Sequence, residues 1–222
     1  MTVAVGVIGV GNMGAAMARN LLAHGYTVHV HDIDLAQVQP LREAGAVVHD
    51  SPFALAQSAA LIIIAVVNAG QVSQVMAGEL GLGTALTSGH TLMLCPTIAP
   101  EDVAQFAQQI QSFGASVIDA PMSGGPARAQ AGTMSLMVAC DADVFSRHAD
   151  VLNVLSNKIF RISDKPGDGA KTKLVNNLLA GINLVGAAEV LALAERMGLS
   201  AQTTLDVMAQ SSGQSWIGSD RM

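Results

Sequence analysis

Cysteine is scarce: Cys95 and Cys140 are the only two in 222 residues, far apart and outside any CxxC spacing. That excludes a disulfide framework or a cysteine zinc site and fits a reducing, cytoplasmic setting. Charge is thin as well. Charged residues make up 13%, with 11 Lys and Arg against 17 Asp and Glu and a formal net charge of -6. The clustered cations that a nucleic acid or an anionic membrane surface requires are missing, so neither is an expected partner and a small molecule is. The six histidines show no HxxH or HxxxH spacing, and no metal site is expected. Long apolar runs are missing too: residues 61–67, the longest, are far too few to cross a bilayer. The apolar start has no basic leader and is broken by glycines, so no targeting segment is expected. No internal repeat or low-complexity tract is visible. What the chain does have is apolar bulk, 50% of its residues, enough for a sizeable core in one or two domains.

Short β-branched runs alternate with helical patterns. Residues 3–9 read as a strand, 13–24 as a helix and 27–31 as a second strand, which is a βαβ unit. The alternation continues with a strand near 46–48, a short helix that Ser51 caps and Pro52 opens, a buried strand at 61–67 and a helix near 71–77. A strand at 91–95, a helix at about 100–113 and a strand at 116–119 follow, ending in a loop at 120–126. Continuous apolar strands separated by helices imply a parallel sheet covered on both faces. A strand at 133–139, a helix from 143 to about 155 and a strand at 158–162 are expected to complete it. Pro166, Gly167 and Gly169 then mark a boundary, giving a domain at 1–165 and a second segment at 166–222. That segment opens with one helix from about 170 to 197, stopped by Gly198, and continues with a shorter helix that Ser200 caps, to about 210. No closing element is expected over 211–222.

A phosphate group needs close backbone approach and free N–H groups at a helix N-terminus. Gly9-Val10-Gly11-Asn12-Met13-Gly14 supplies both between a strand and a helix, the pattern of a dinucleotide pyrophosphate cradle. Alone, the hexapeptide is also the tight turn of any strand-to-helix junction. Context favours the cradle: 18 residues after Gly14, Asp32 stands at the end of the second strand, where a carboxylate can accept bonds from ribose hydroxyls and would repel a 2′-phosphate. NAD is therefore expected over NADP. Asp34 competes for that role at a poorer spacing.

Two further motifs carry chemistry. Asp119-Ala-Pro-Met-Ser123-Gly124-Gly125-Pro sets a hydroxyl beside bare amides that can bind a carboxylate, although a plain glycine turn has the same composition. Lys173 and Asn177, four apart on the long helix, project from one face. A lysine there acts as general acid or base if apolar surroundings lower its pKa; a solvated surface pair is the plainer alternative, and Lys171 is a nearby decoy. Met134 and Met137 read as core, and Trp216, the only Trp, as pocket lining or packing.

In this order, the three motifs resemble the 3-hydroxyacid dehydrogenase family, the 3-hydroxyisobutyrate dehydrogenase-like enzymes. The resemblance covers essentially the whole chain: Gly-Val-Ile-Gly-Val-Gly-Asn-Met-Gly, then Asp119-Ala-Pro-Met-Ser-Gly-Gly with Gly132 downstream, then Gly169-Ala-Lys-Thr-Lys173-Leu-Val-Asn-Asn177. It implies a Rossmann-type doubly wound parallel sheet, a long interdomain helix and an all-α C-terminal domain, of which two helices are expected here, a truncated version. Ser123, Gly124 and Gly125 would bind the substrate carboxylate, Lys173 would transfer the proton and Asn177 would bind substrate beside it. Cofactor contacts would come from Gly9, Gly11, Asn12, Met13, Gly14, Asp32, Val67, Asn68 and Thr97. The family usually has Ser-Thr where this chain has Cys95-Pro96 before Thr97, and Pro96 removes a backbone donor.

Residues 66–72, 96–99 and 213–217 look most like the L-threonate dehydrogenase branch. The expected activity is thus NAD-dependent oxidation of the hydroxyl of a small hydroxy acid, L-threonate or a related sugar acid. Alternatives are 3-hydroxyisobutyrate oxidation or tartronate semialdehyde reduction, an imine reductase, against which Lys173 argues, and a non-catalytic NAD-binding module. Leu184, Leu191 and Leu193 on the long helix need cover, which a homodimer or homotetramer would supply.

Overall fold

Every residue of Leu61–Ile64 is buried, and a strand that hides both faces needs layers on both sides of its sheet. The computed structural model describes residues 4–221; Val3, where the first expected strand begins, lies outside them. Among the described residues nine strands form one sheet: β1 (Ala4–Ile8), β2 (Thr27–His31), β3 (Val47–Val48), β4 (Leu61–Ile64), β5 (Thr91–Leu94), β6 (Ser116–Asp119), β7 (Met122–Ser123), β8 (Ser135–Ala139) and β9 (Lys158–Ser163). Their order is β3-β2-β1-β4-β5-β6-β8-β7, with β9 also on β8. From β3 to β6 all neighbours are parallel. β8 runs antiparallel to β6 and β7, and β9 parallel to β8, so the sheet is mixed at one edge rather than parallel throughout. The order reverses between β1 and β4, and open α/β sheets bind ligands beyond the carboxyl ends of their strands at such a switch point.

Two apolar layers sandwich this sheet. On one face α1 (Asn12–Ala23) buries Met17 and Leu21, α2 (Leu35–Glu43) adds Val38 and Leu41, and α8 (Ala149–Leu155) adds Leu152 and Leu155, against strand residues such as Val5, Val30 and Ile63. On the other, α3 (Pro52–Ala56), α4 (Ala69–Met76) and α5 (Pro100–Ser112) cover Ile8, Ile62, Ile64 and Leu92. Each fully buried Leu, Ile, Val or Met contributes about 1.5–3 kcal/mol. Met134 and Met137 belong to the core, 0% and 6% exposed. α6 (Gly125–Gln130) packs on α1, and Asn20, buried on α1, donates to the Val154 carbonyl at 2.7 Å.

Several expectations are corrected. Residues 143–155 form two helices, α7 (Ala142–Arg147) and α8, because His148 leaves helical geometry (φ -112, ψ 11) to place its ring 2.8 Å from the Thr91 hydroxyl in the core. α2 lies where no helix was expected; Pro40 sits inside it, and the helix persists because Val38 and Leu41 are buried. Residues 120–126 are no simple loop, since they hold β7 and the start of α6. α11 (Trp216–Arg221) occupies a stretch expected to hold no element, and its Gly218 lies where a Cβ would meet Ala187 at 3.7 Å.

Packing divides the chain into two compact units, Met1–Lys173 and Leu174–Met222, with the division inside α9 (Asp168–Arg196). The second unit holds the rest of α9, α10 (Ala201–Gln210), capped by Ser200 through Thr203 N–H, and α11. On α9 in this unit Ala187 and Ala194 are buried, whereas Val175, Leu178, Leu179, Ile182 and Val185 are more than half exposed. α9 is therefore apolar all round, and by length and composition it is long and apolar enough to cross a membrane, a property the search for unbroken apolar runs passed over because glycines and polar residues punctuate it.

Candidate active site

The glycine turn leaves β1 at the switch point, and each glycine has a different neighbourhood. Gly9 takes φ +84, a left-handed conformation, and a Cβ on it would press on Val66 and the Ala65 backbone of the neighbouring β4 loop. A Cβ on Gly14 would overlap the Gly9 carbonyl oxygen. Gly11 is the opposite: a Cβ there would meet nothing within 4 Å. Close packing thus demands the first and third glycines, and only open space in front of α1 accounts for the second. The N-terminus of α1 has no side-chain cap and no acidic residue in its first turn, so the amides around Asn12 and Met13 remain an uncompensated positive end. An anion that approached Gly11 closely would fit this cradle, as a dinucleotide pyrophosphate does.

Asp32 follows β2 directly. Its Oδ2 accepts the Val10 N–H at 2.7 Å and its Oδ1 the Asp34 N–H at 2.9 Å, which fixes the carboxylate beside the glycine turn with lone pairs to spare. Asp34 is occupied elsewhere, as the N-cap of α2 through Ala36 N–H. Beyond β4, the Asn68 side chain caps α4 by accepting Gln71 N–H, and the Val67 N–H donates to the Gln71 side chain. Val67, Asn68 and Thr97, after β5, are exposed at the carboxyl end of the sheet.

The second motif begins inside the core. Asp119, the last residue of β6, is 1% exposed, and burial pushes its carboxyl up to about 6 against the pull of amides from Gly167, Ala170 and Gly169. Ser123 ends β7, opposite Ser135. Gly124 and Gly125 follow at φ +134 and +75, backbone that other residues rarely adopt, and a Cβ on Gly124 would stand 2.9 Å from the Arg128 side chain.

Two lysines on the first turns of α9 part company. Lys171 is exposed and paired with Asp168 at 2.7 Å, which raises its pKa. Lys173 is 8% exposed, and among the described residues no acid or acceptor pairs with its ammonium. Desolvation lowers its pKa. No side-chain nitrogen or oxygen among the described residues is both buried and without a partner, so the Lys173 stem is buried while its ammonium keeps access to solvent, as a group that exchanges a proton must. Asn177, one turn further along α9, is exposed and belongs to the second unit.

One residue escaped the sequence reading. Asp119 was read only as an acid at a strand end, yet it receives Gly167 N–H at 2.8 Å and Ala170 N–H at 3.2 Å, so it tethers the start of the helix that carries Lys173. Gly167 just ahead of α9 and Gly169 in its first turn were the available signal. Spacing also missed the pairing of His29 and His49, whose ring nitrogens lie 2.8 Å apart and whose pKa values burial and neighbouring imidazoles lower. No group of three or more His, Cys, Asp or Glu among the described residues is arranged to hold a metal ion.

Residues 4–163 match the family profile described as the NAD binding domain of 6-phosphogluconate dehydrogenase, and residues 167–222 that described as the NAD-binding of NADP-dependent 3-hydroxyisobutyrate dehydrogenase. The chain is 36% identical to an L-threonate dehydrogenase of Escherichia coli O6:H1 over 219 residues, 98% of this chain and 72% of that protein. It is 38% identical to a 3-hydroxyisobutyrate dehydrogenase of Pseudomonas aeruginosa over 213 residues, 96% of this chain and 71% of that protein. A crystal structure of 3-hydroxyisobutyrate dehydrogenase from Salmonella typhimurium superposes with a TM-score of 0.89 at 33% identity, covering 99% of this chain and 77% of that one. The chain belongs to the 3-hydroxyisobutyrate dehydrogenase-like family of NAD(P)-dependent 3-hydroxyacid dehydrogenases.

Proposed function

We propose that the chain oxidises the hydroxyl of a small hydroxy acid, L-threonate or a related sugar acid, with NAD. The observation that carries the chemistry is Lys173: buried, unpaired among the described residues and lowered in pKa by desolvation. In its neutral form that amine accepts the hydroxyl proton of the substrate, and Asn177, one turn further along α9, holds the same hydroxyl. Ser123 and the amides of Gly124 and Gly125 anchor the carboxylate, a cluster of donors with no competing negative charge of its own. A bound nicotinamide ring would supply the hydride acceptor. The chain's part is orientation and proton transfer.

For the cofactor, Gly9, Gly11, Asn12, Met13 and Gly14 would hold the pyrophosphate and Asp32 the ribose, with Val67, Asn68 and Thr97 lining the rest. A carboxylate held at Asp32 by Val10 and Asp34 N–H groups favours free ribose hydroxyls over a 2′-phosphate, and hence NAD. For the substrate, support comes from the L-threonate dehydrogenases among the relatives and from residues 66–72, 96–99 and 213–217. The exposed apolar residues Val175, Leu178, Leu179, Ile182 and Val185 of α9 support a homodimer in which a second copy covers them.

The test is a substrate panel. L-threonate, erythronate, glycerate, 3-hydroxyisobutyrate and 3-hydroxypropionate are each assayed with NAD and with NADP. Threonate with NAD is expected to give the highest kcat/KM. Preference for another acid would move the substrate within the family, and preference for NADP would overturn the role given to Asp32.

A further inference from the structure

Helices begin with amides that lack partners, and of the two carboxylates beside the start of α9 only Asp119 accepts such amides. On the outer side Asp168, in its own first turn, accepts from Ser163 Oγ at 2.8 Å and from Lys171 Nζ at 2.7 Å. On the buried side the acceptor is foreign to the helix: Asp119 Oδ2, 1% exposed, receives Gly167 N–H at 2.8 Å and Ala170 N–H at 3.2 Å. Gly169 is packed so closely that a Cβ would stand 2.6 Å from the Met137 carbonyl oxygen and 2.9 Å from Asp119 Oδ2. The contact therefore has one geometry. Asp119 is also the last residue of β6, the strand that runs through Ala120 and Pro121 into Ser123 and its glycines. Ala170 lies three residues before Lys173 on the same buried side of α9.

We propose that Asp119 is a positioning residue for the dehydrogenase reaction, holding the first turn of α9, and through it Lys173, in register with the Ser123-Gly124-Gly125 turn. This rests on the reading of Lys173 as the proton-transfer group. Ionised, the carboxylate binds the amides through charge-assisted bonds, roughly twice as strong as neutral ones; protonated, it holds them weakly. The titratable groups facing it are Asp168 across the turn and the thiols of Cys95 and Cys140. Burial raises both thiol pKa values, so they stay neutral over the working range, while the Asp168 anion favours the protonated form of Asp119. The burial that pushes Asp119 up to about 6 places its protonation within reach of an activity profile.

Oxo-acid reduction separates the two groups, because there Lys173 must start protonated and sets the alkaline limb. The experiment measures kcat/KM for tartronate semialdehyde with NADH between about pH 5 and about pH 9, and hydrogen-exchange protection of residues 165–172, on the full chain and three variants. Wild type is expected to show an acid limb near 6 and protection that falls through the same interval. Asp119→Asn, which keeps one amide-accepting oxygen, is expected to lose the acid limb and run about 3- to 10-fold slower at high pH. Asp119→Ala unmoors the turn, with a loss of about 100-fold in kcat typical of a misplaced group and faster exchange over 165–172. Lys173→Ala is expected to be inactive with wild-type protection. An unchanged acid limb in Asp119→Asn, or wild-type kcat in Asp119→Ala, overturns the positioning role while leaving Lys173 in place. Near-normal turnover in Lys173→Ala overturns the proton-transfer reading instead. If Asp119→Ala fails to fold, the Asp119→Asn profile decides.

Discussion

Gly11→Ala separates a cofactor seat from mere packing. Gly11 caps α1 with φ -64 and ψ -160, a negative φ that an L-residue tolerates, and the added Cβ would meet nothing within 4 Å. The native fold thus accepts the methyl. Replacing a glycine N-cap by Ala costs about 0.5–1 kcal/mol, and restricting the unfolded chain returns about 0.4–1 kcal/mol. The two nearly cancel. A net change within about 0.5 kcal/mol corresponds to a Tm shift of no more than about 2 °C for a chain of this size. Binding is a different matter, because the methyl stands where a pyrophosphate would approach the α1 amides. Forfeiting one charge-assisted hydrogen bond costs about 1.5–3 kcal/mol, or about 10- to 150-fold in Kd. Gly14→Ala provides the contrast: its Cβ would overlap the Gly9 carbonyl oxygen, and such overpacking costs about 1–3 kcal/mol of stability. Thermal unfolding and NAD titration calorimetry on both variants measure the two effects. Wild-type NAD affinity in Gly11→Ala, or a Tm loss in it as large as that of Gly14→Ala, would refute the reasoning.

Other outcomes follow from the same geometry. Lys173→Ala should lower kcat by about 100- to 10,000-fold, the range of a lost acid–base group, with NAD affinity unchanged; Lys171→Ala, removing an exposed pair with Asp168, should stay within about twofold of wild type in the same assay. Asp32→Ser should shift the NADP-to-NAD ratio of kcat/KM upward by about tenfold or more, and an unshifted ratio would show that another group reads the ribose. His148, pushed down to about 4 by burial from an ordinary 6.5, favours the fold above 6.5 and forfeits up to about 3 kcal/mol as pH falls through that interval. Asp119, raised to about 6 from 3.8, acts with the opposite sign: its neutral form favours the fold at low pH, and that contribution is lost as pH rises through 6. Urea unfolding against pH should therefore show His148→Gln losing less stability on acidification than wild type, and Asp119→Asn losing more. Sedimentation velocity should find a dimer that Ile182→Asp converts to monomer.

Much of the fold is legible because apolar runs register burial directly. Residues 61–64 and 91–94 are uninterrupted, so they read as central strands, and the alternation with helices implies parallel pairing. Strand direction leaves no such mark at the sheet edge, where β8 returns antiparallel to β6 and β7 after the short helix α6. Helix breaks escape for a related reason. His148 interrupts α7 and α8 only because its ring finds Thr91, 57 positions away, and local propensity over 143–155 holds no trace of that partner. α11 escaped because no closing element was legible over 211–222, whereas its contact with α10 and its place beside Ala187 of α9 are tertiary.

The site divides in the same way. The glycine turn and Asp32 lie within 24 residues of one another, and a local motif can specify a local cradle. Choosing Lys173 over Lys171 needed family resemblance, since two lysines two positions apart differ only in what surrounds them: one is exposed and paired with Asp168, the other is 8% exposed and has no ion-pair partner among the described residues. Asp119 lies furthest from reach. An acid at a strand end reads the same whether it meets water or an approaching helix, and its bond to Gly167 spans 48 positions. Only the fold shows that this carboxylate and the amides of α9 meet in a space too tight for a side chain on Gly169. Gly169→Ala follows from that fit: its methyl would force the α9 turn away from Asp119 and Met137, and kcat should fall with Asp119 and Lys173 both intact. A wild-type kcat in that variant would mean that the first turn of α9 has slack, and that Lys173 is held by something other than Asp119.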